Sequence, residues 1–298
     1  HTSYASLGSA VQAGVGRNGM DCVTLKHPSG ASVSLYKFGA HITSWKLDTK
    51  KEMLFLSENA VYDGATPIRG GIPLVFPQFG GGDLPNHGFA RTSHWDIRAV
   101  ESNILVMELI DNEKTRGMWR NYAFRLLYTI ELGAKTLKTT LTVVNRGAEP
   151  FEFQALLHTY YGLVDIANVG VVGLKDHAFM NKLTNHSVSQ ENSKVFRFDG
   201  EVDSIYTGSP RSLHLTGTGL AGSGDSVEIE IGATGSTGHD VVVWNPHVAK
   251  AKRMGDFGDH EWKSMCCIEP GFVAKRTTLH PNGEWSLYQT LTATGVDK

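Results

Sequence analysis

Cysteine is scarce: three residues in a chain of 298, Cys22 and the neighbours Cys266 and Cys267. An odd, sparse set is not a disulfide framework, and no C-x-x-C pair offers a structural zinc site. A reducing, cytoplasmic setting is expected, with the adjacent thiols packed in the interior and the sequon Asn185-His186-Ser187 without consequence. Charge of either sign is thin as well. Lys and Arg number 28 against 30 Asp and Glu, a net of −2. No basic field exists to attract nucleic acid or an anionic membrane surface, so an anion must be met by a few placed cations. No apolar run approaches the ~20 residues of a membrane-spanning helix. The start, His1 to Ser6, lacks Met and an apolar signal region. It reads as a processing or tag remnant, with residues 1–10 outside the fold. The 13 histidines include no H-x-x-x-H or H-x-H pair backed by carboxylates, so neither metal nor cofactor is expected.

Helical periodicity is equally rare. The best candidate, near Glu113–Trp119, is short. Alternation dominates instead. Phe124, Leu126, Tyr128, Ile130 and Leu132 form one period-2 row. Leu137, Leu141 and Val143 form another, and Ser226 to Ile231 alternates strictly. Similar runs occur at Ala31–Tyr36, Ile42–Leu47, Met53–Leu56, Ile104–Ile110, Phe151–Leu157, Ser212–Leu215, Val241–Trp244, Met265–Ile268 and Trp285–Leu291. With an apolar fraction of 41% and 33 glycines, the pattern predicts an all-β chain. One large antiparallel β-sandwich over 1–298 is expected, with loops at Gly64–Asn86 and Thr216–Asp225. Gly14 to Gly19 and Gly217 to Gly222 fit G-x-G-x-x-G. The first has no convincing strand before it, and the second runs into a strand rather than a helix, so neither is read as a dinucleotide site.

The segments with chemical character lie elsewhere. Pro67 to Gly80 sets Arg69 beside two glycines in an apolar stretch, where backbone can approach a ligand and a guanidinium can meet an oxyanion. Pro85 to Arg91, read as extended, puts His87, Phe89 and Arg91 on one face. Phe151 to Tyr161 points Phe151, Phe153, Ala155 and Leu157 inward and leaves His158 at the strand's end on the other face. In Cys266 to Gly271, Pro270 is expected to end the strand. Glu269 would then sit beside a turn, partly desolvated and poised as a base. Each residue alone is as easily a structural one; together, in this order, they are specific.

The motifs R-G-G-I-P-L-V-F-P-x-F-G, H-G-F-A-R, L-x-H-T-Y, E-V-D-x-I-Y (Glu201–Tyr206), W-N-P (Trp244–Pro246) and I-E-P-G resemble those of the aldose 1-epimerase, or galactose mutarotase-like, superfamily. The likeness spans roughly Ser32 to Thr292, and within the superfamily it is to the branch that acts on hexose 6-phosphates. It implies a supersandwich with a sugar cleft on one concave face. By matched position it implies His158 and Glu269 as the catalytic pair, and Asp203 as acceptor of a sugar hydroxyl. It further implies His87 beside the ring, Arg69 and Arg91 near a phosphate, Gln78 as a weaker hydroxyl contact, and Trp244 as packing support. The implied partner is a small sugar phosphate, with no nucleic acid, membrane or obligatory protein partner. Anomers would interconvert by acid–base ring opening and closure. Glu269 is read as base, and His158 as an acid kept protonated by the nearby carboxylate. Three alternatives stand beside this reading: a mutarotase of free aldoses, a non-catalytic carbohydrate-binding sandwich, and a glycoside hydrolase using Asp203 and Glu269.

Overall fold

The row from Phe124 to Leu132 becomes a strand whose burial alternates residue by residue. It pairs antiparallel with Thr136–Asn145, which pairs on its other flank with Glu284–Thr294. These three form the middle of a nine-stranded sheet in the computed structural model, which describes residues 10–47, 51–220, 225–234 and 238–295. Ser226–Ala233, Ser212–Thr216, Gly170–Val172 and Val195–Phe196 extend the sheet on one side, and Ile104–Ile110 and Asp96–Glu101 on the other. A second, eight-stranded sheet runs Ser187–Gln190, Ala178–Asn181, Val202–Tyr206, Asp240–Asn245, Met265–Leu279, Phe151–Leu157 and Leu74–Val75, with Tyr160–Gly162 added beside Met265–Leu279. The N-terminal strands Val11–Val15, Asp21–Lys26, Ser32–Tyr36 and His41–Lys46 form a four-stranded meander. Every strand pair is antiparallel, as the alternation predicts.

The two large sheets pack face to face. Phe153 meets Trp285 edge-on at 5.1 Å, and Phe272 meets the same ring at 5.2 Å. Phe151, Phe153, Ala155 and Leu157 all enter this core, as their spacing predicts. The eight-stranded sheet is buried on both faces. Val241, Val243, Cys266 and Ile268 point into the sandwich. Val242, Trp244, Cys267 and Ile205 point the other way, into a smaller cluster with Tyr160, Phe55 and Phe257. A strand covered on both faces reads as a continuous apolar run, which is how Val241–Trp244 and Met265–Ile268 appear in the sequence.

Several expectations give way. Met53–Leu56 is not a strand. Its alternate residues bridge to different partners, Leu54 to Tyr161 and Leu56 to Gly70, so no ladder propagates. His87 to Arg91 is not extended. His87 and Gly88 take positive φ, and Ala90–Thr92 is a 3-10 turn, so His87, Phe89 and Arg91 do not share a face. Gly88 is the pivot, because a Cβ there would lie 2.1 Å from the carbonyl oxygen of Phe76. The turn drops Phe89 into the core while His87 stays outside it. Pro270 does not end a strand either; it lies inside the 15-residue Met265–Leu279. On one flank Tyr160–Gly162 pairs with residues 265–267, and Phe151–Leu157 pairs from Gly271 onward. Residues 268–270 have no register partner on that flank, and a residue without an N–H is tolerated at such a break. Gly14 does follow into a strand, Val11–Val15, but only a three-residue 3-10 turn comes after it, so the phosphate-binding helix N-terminus is missing. The expected helix forms at Glu113–Met118, capped by a reciprocal Asn112–Thr115 box. In the Gly-rich loop, residues 221–224 lie outside the described residues, as do residues 1–9. Among the described residues no helix is long and apolar enough to cross a membrane.

Candidate active site

The outer face of the eight-stranded sheet builds the site by register alone. Asp203, Trp244 and Cys267 stand opposite one another on three adjacent strands, and Ile205, Val242 and Glu269 form the next row. His158 joins from the neighbouring strand. Past Leu157 the chain leaves the ladder, and the His158 N–H donates to the carbonyl of Pro73 at 3.0 Å. Its ring stacks on Tyr160 at 4.7 Å with 9° between planes, and meets Trp244 edge-on at 6.1 Å. This fixes the imidazole, with Nδ1 3.4 Å from Glu269 Oε2. That contact does not meet hydrogen-bond geometry, and both atoms are buried with no other partner.

Burial decides the protonation of the pair. It pushes the Glu269 carboxyl well above the usual carboxylate range, with Asp203 adding to the effect. It pushes His158 well below the ordinary histidine value, and His87, Arg91 and Arg69 push the same way. The expectation that His158 is held protonated by the neighbouring carboxylate is therefore not met: burial beside guanidinium groups favours the neutral forms of both residues. Two ionisable groups this close titrate jointly.

The other residues close around this pair. Arg69 donates from Nε to Asp256 Oδ2 at 3.1 Å, with Nη2 ion-paired to the same oxygen at 3.0 Å, and from Nη1 to the Tyr160 hydroxyl at 3.1 Å. Burial works against its charge, but Tyr160 and Asp256 outweigh that and raise its pKa. The glycines beside it allow the approach. Gly71 takes φ +62°, and a Cβ there would meet the carbonyl oxygen of Ile42 at 2.0 Å. His41 Nε2 donates to the Gly70 carbonyl at 2.7 Å. His87 faces the ring of His158 edge-on at 5.7 Å. Its Nδ1 accepts from the Gly80 N–H at 3.2 Å, which places its proton on Nε2. Burial, with Arg91, Lys182 and Arg69, holds it neutral, its pKa lowered to about 3.

These groups line one cleft of about 400 Å³, within the roughly 300–1,000 Å³ of small-molecule sites. His158, Glu269, His87, Arg69 and Asp203, anticipated from the sequence, all face it, as does Trp244. Arg91 does not line it. It is 9% exposed, gives Nη2 to the Asn86 carbonyl at 2.8 Å and leaves Nε unpartnered. Burial lowers its pKa to about 10. Gln78 stands apart. Its amide bonds the backbone of Gly80 and Leu84, shaping the loop rather than reaching the cleft. Two lining residues carry no sequence signal. Lys182 pairs with Asp203 at 3.0 Å and lies over the Phe79 ring at 5.0 Å. Lys250 approaches Asp203 at 3.8 Å and Glu201 at 3.6 Å. Cys266 packs in the core as expected, but Cys267 turns to the site face. A ring nitrogen of His158, its Sγ and a Glu269 oxygen lie within 4.8 Å of one another.

A histidine and a carboxyl buried beneath a cleft of small-molecule size invite comparison with known proteins. A sequence model of the aldose 1-epimerase family matches residues 21–292. The "Putative glucose-6-phosphate 1-epimerase" of Cenchrus ciliaris is 33% identical over 281 residues, covering 90% of this chain and 83% of that protein. The protein of the same name from Escherichia coli K12 is 31% identical over 264 residues, covering 86% and 84%. A crystal structure from Salmonella typhimurium, described as "a putative mutarotase", superposes with a TM-score of 0.81 at 28% identity, over 92% of this chain and 90% of that one. The chain belongs to the aldose 1-epimerase family, and with it to the isomerases.

Proposed function

We propose that the protein interconverts the α and β anomers of a hexose 6-phosphate, glucose 6-phosphate foremost. The observation that carries this reading is the placement of Arg69, Lys182 and Lys250 on the walls of the cleft that holds His158 and Glu269. A neutral sugar needs no such cations, whereas a phosphate dianion on a slightly acidic protein does.

Anomer exchange needs one proton removed from the C1 hydroxyl and one delivered to the ring oxygen. Both oxygens are attached to C1, so a donor and an acceptor a few ångströms apart serve both. Glu269 takes the hydroxyl proton and His158 protonates the ring oxygen. The ring opens to the aldehyde, the C1–C2 bond rotates, and closure from either face reverses the roles. Burial favours the proton on the carboxyl. A bound dianion offsets the guanidinium charges that depress His158, which favours moving the proton across the 3.4 Å contact to the imidazole. In this reading His87, neutral with its Nε2–H available, and Asp203 hold ring hydroxyls. Each member of the pair contributes roughly 10²–10⁴-fold.

One observation favours a second reading. Arg69 is already paired with Asp256 and hydrogen-bonded to Tyr160. A guanidinium so satisfied suits a free aldose as well. Anomer exchange followed by NMR with glucose 6-phosphate and glucose side by side tests the choice. Faster exchange of the phosphorylated sugar is expected; equal rates, or preference for glucose, make the enzyme a free-sugar mutarotase.

A further inference from the structure

Glu269 and Cys267 are two apart on one strand and share the face that His158 meets. Nitrogen, sulfur and oxygen donors, all within 4.8 Å of one another, thus converge beneath an open cleft. His158 Nδ1 and Glu269 Oε2 are each buried and unpartnered, a state that ordinarily marks a missing partner. With bonds of about 2.0–2.3 Å, a tetrahedral zinc site has ligand atoms roughly 3.3–3.8 Å apart. The Nδ1···Oε2 separation of 3.4 Å is already such an edge. The Cys267 sulfur, within 4.8 Å of a ring nitrogen and a carboxylate oxygen, would have to close in to complete the set.

We propose that His158, Cys267 and Glu269 form a binding site for a single thiophilic divalent cation, Zn²⁺ fitting best, and that its occupation silences the acid–base pair. The donor set is borderline-soft, so Mg²⁺ and Ca²⁺, which want several oxygens, are refused. Binding releases the thiol proton and the proton shared by the pair. The imidazole lone pair and the carboxylate go to the metal, and neither is left to move a proton between sugar oxygens. A Cys⁻, Glu⁻, His set also neutralises the ion, which suits a buried location. The fourth position faces the cleft. The binding claim stands apart from the catalytic reading; only the silencing rests on it.

The test uses the full chain carrying Cys22→Ser, so that the half-exposed thiol remote from the site contributes nothing. The protein is stripped with a chelator and titrated with Zn²⁺ against a chromophoric chelator. Separately it is titrated with Co²⁺ while the thiolate-to-cobalt charge-transfer band is watched. We expect one tightly held ion, a thiolate band, and loss of anomerisation that excess chelator restores, with Mg²⁺ inert in each assay. Cys267→Ser should abolish the band and weaken Zn²⁺ by at least ~10-fold, and Cys266→Ser should change neither. Absence of the band, or Zn²⁺ affinity retained in both Cys267→Ser and Cys267→Ala, overturns the site. Binding as expected with anomerisation unimpaired overturns the silencing. A wild-type protein that binds Zn²⁺ as expected but anomerises no sugar supports the site and sinks the catalytic reading instead.

Discussion

Thr159 and Gln289 hydrogen-bond to each other across the sandwich interior, Thr159 Oγ1 lying 2.8 Å from Gln289 Nε2 and 3.0 Å from Oε1. Both are fully buried. Gln289 belongs to the nine-stranded sheet, and Thr159 sits between His158 and Tyr160, the two stacked rings of the site. Gln289→Met leaves the buried Thr159 hydroxyl only its long 3.4 Å contact to the Leu157 carbonyl, and a stability loss of roughly 1–3 kcal/mol is expected. Activity should also drop, mainly in kcat, because the orientation of His158 is loosened while the cleft walls stay in place. Adding Thr159→Val removes both polar groups and should recover most of the stability. Chemical denaturation of the single and double variants, with kinetics on each, checks this; a single variant as stable as wild type refutes it.

Glu269→Gln keeps the shape of the carboxyl but cannot exchange a proton, and His158→Asn removes the imidazole. Each should lower kcat about 10²-fold or more while the fold persists. Anomer exchange by NMR on variants with unchanged melting curves gives the answer. Near wild-type turnover in either would dismiss the pair.

The phosphate reading rests on charge at the cleft wall. Arg69→Ala should weaken turnover of glucose 6-phosphate by roughly 10- to 100-fold, the worth of about 1.5–3 kcal/mol of charge-assisted hydrogen bonding. Slow turnover of free glucose should hardly change. Lys182→Ala and Lys250→Ala should act in the same direction. Arg91→Ala differs in kind: its guanidinium holds the Asn86 carbonyl beside His87, so both sugars should suffer. Competition by inorganic phosphate that disappears in Arg69→Ala would support the clamp. Parallel loss of both activities in Arg69→Ala would argue for a free-sugar enzyme.

Acid should destabilise the protein through its buried neutral histidines. His41 is wholly buried, and burial lowers its pKa to about 4. It gains its proton more readily unfolded than folded. Its contribution is complete above the ordinary histidine pKa near 6.5 and fades as pH falls toward about 4, a loss of about 3 kcal/mol at 1.36 kcal/mol per pKa unit. His41→Gln keeps a donor near Gly70 without the titration. Its melting temperature should fall less than wild type's between pH about 7 and about 4.5. An identical acid slope in the two proteins would remove His41 from the account.

The fold is legible where one face of a strand is wet. Phe124–Leu132 and Ile104–Ile110 follow the alternation to the residue. Ser187–Gln190, exposed at every position, gives no period to read, and Gly170–Val172 is too short to show one. Within the site, His158, Glu269, Asp203, His87 and Arg69 stand in ordered motifs. Lys182 and Lys250 are lone lysines on a 3-10 turn and a short helix, and only the closure of the sheet brings them to Asp203. Pro270 misleads because a proline forbids a ladder bond on one flank only, and the break in pairing beside it is a property of two other segments. The facing of Cys267 was readable in principle: if Glu269 faces a cleft, the residue two before it does too.

The strand Met265–Leu279 sends Cys266 and Ile268 into the sandwich and Cys267 and Glu269 toward the cleft, on consecutive positions. Core and chemistry thus share one backbone, with no flexible joint between them. A change of volume behind Ile268 is therefore expected to move the carboxyl next to it in the chain. Repacking substitutions behind this strand should therefore disturb the site more than equal changes near Phe124, in the other sheet. Variation among related chains should be lowest in these consecutive residues, at interior positions no sugar ever touches.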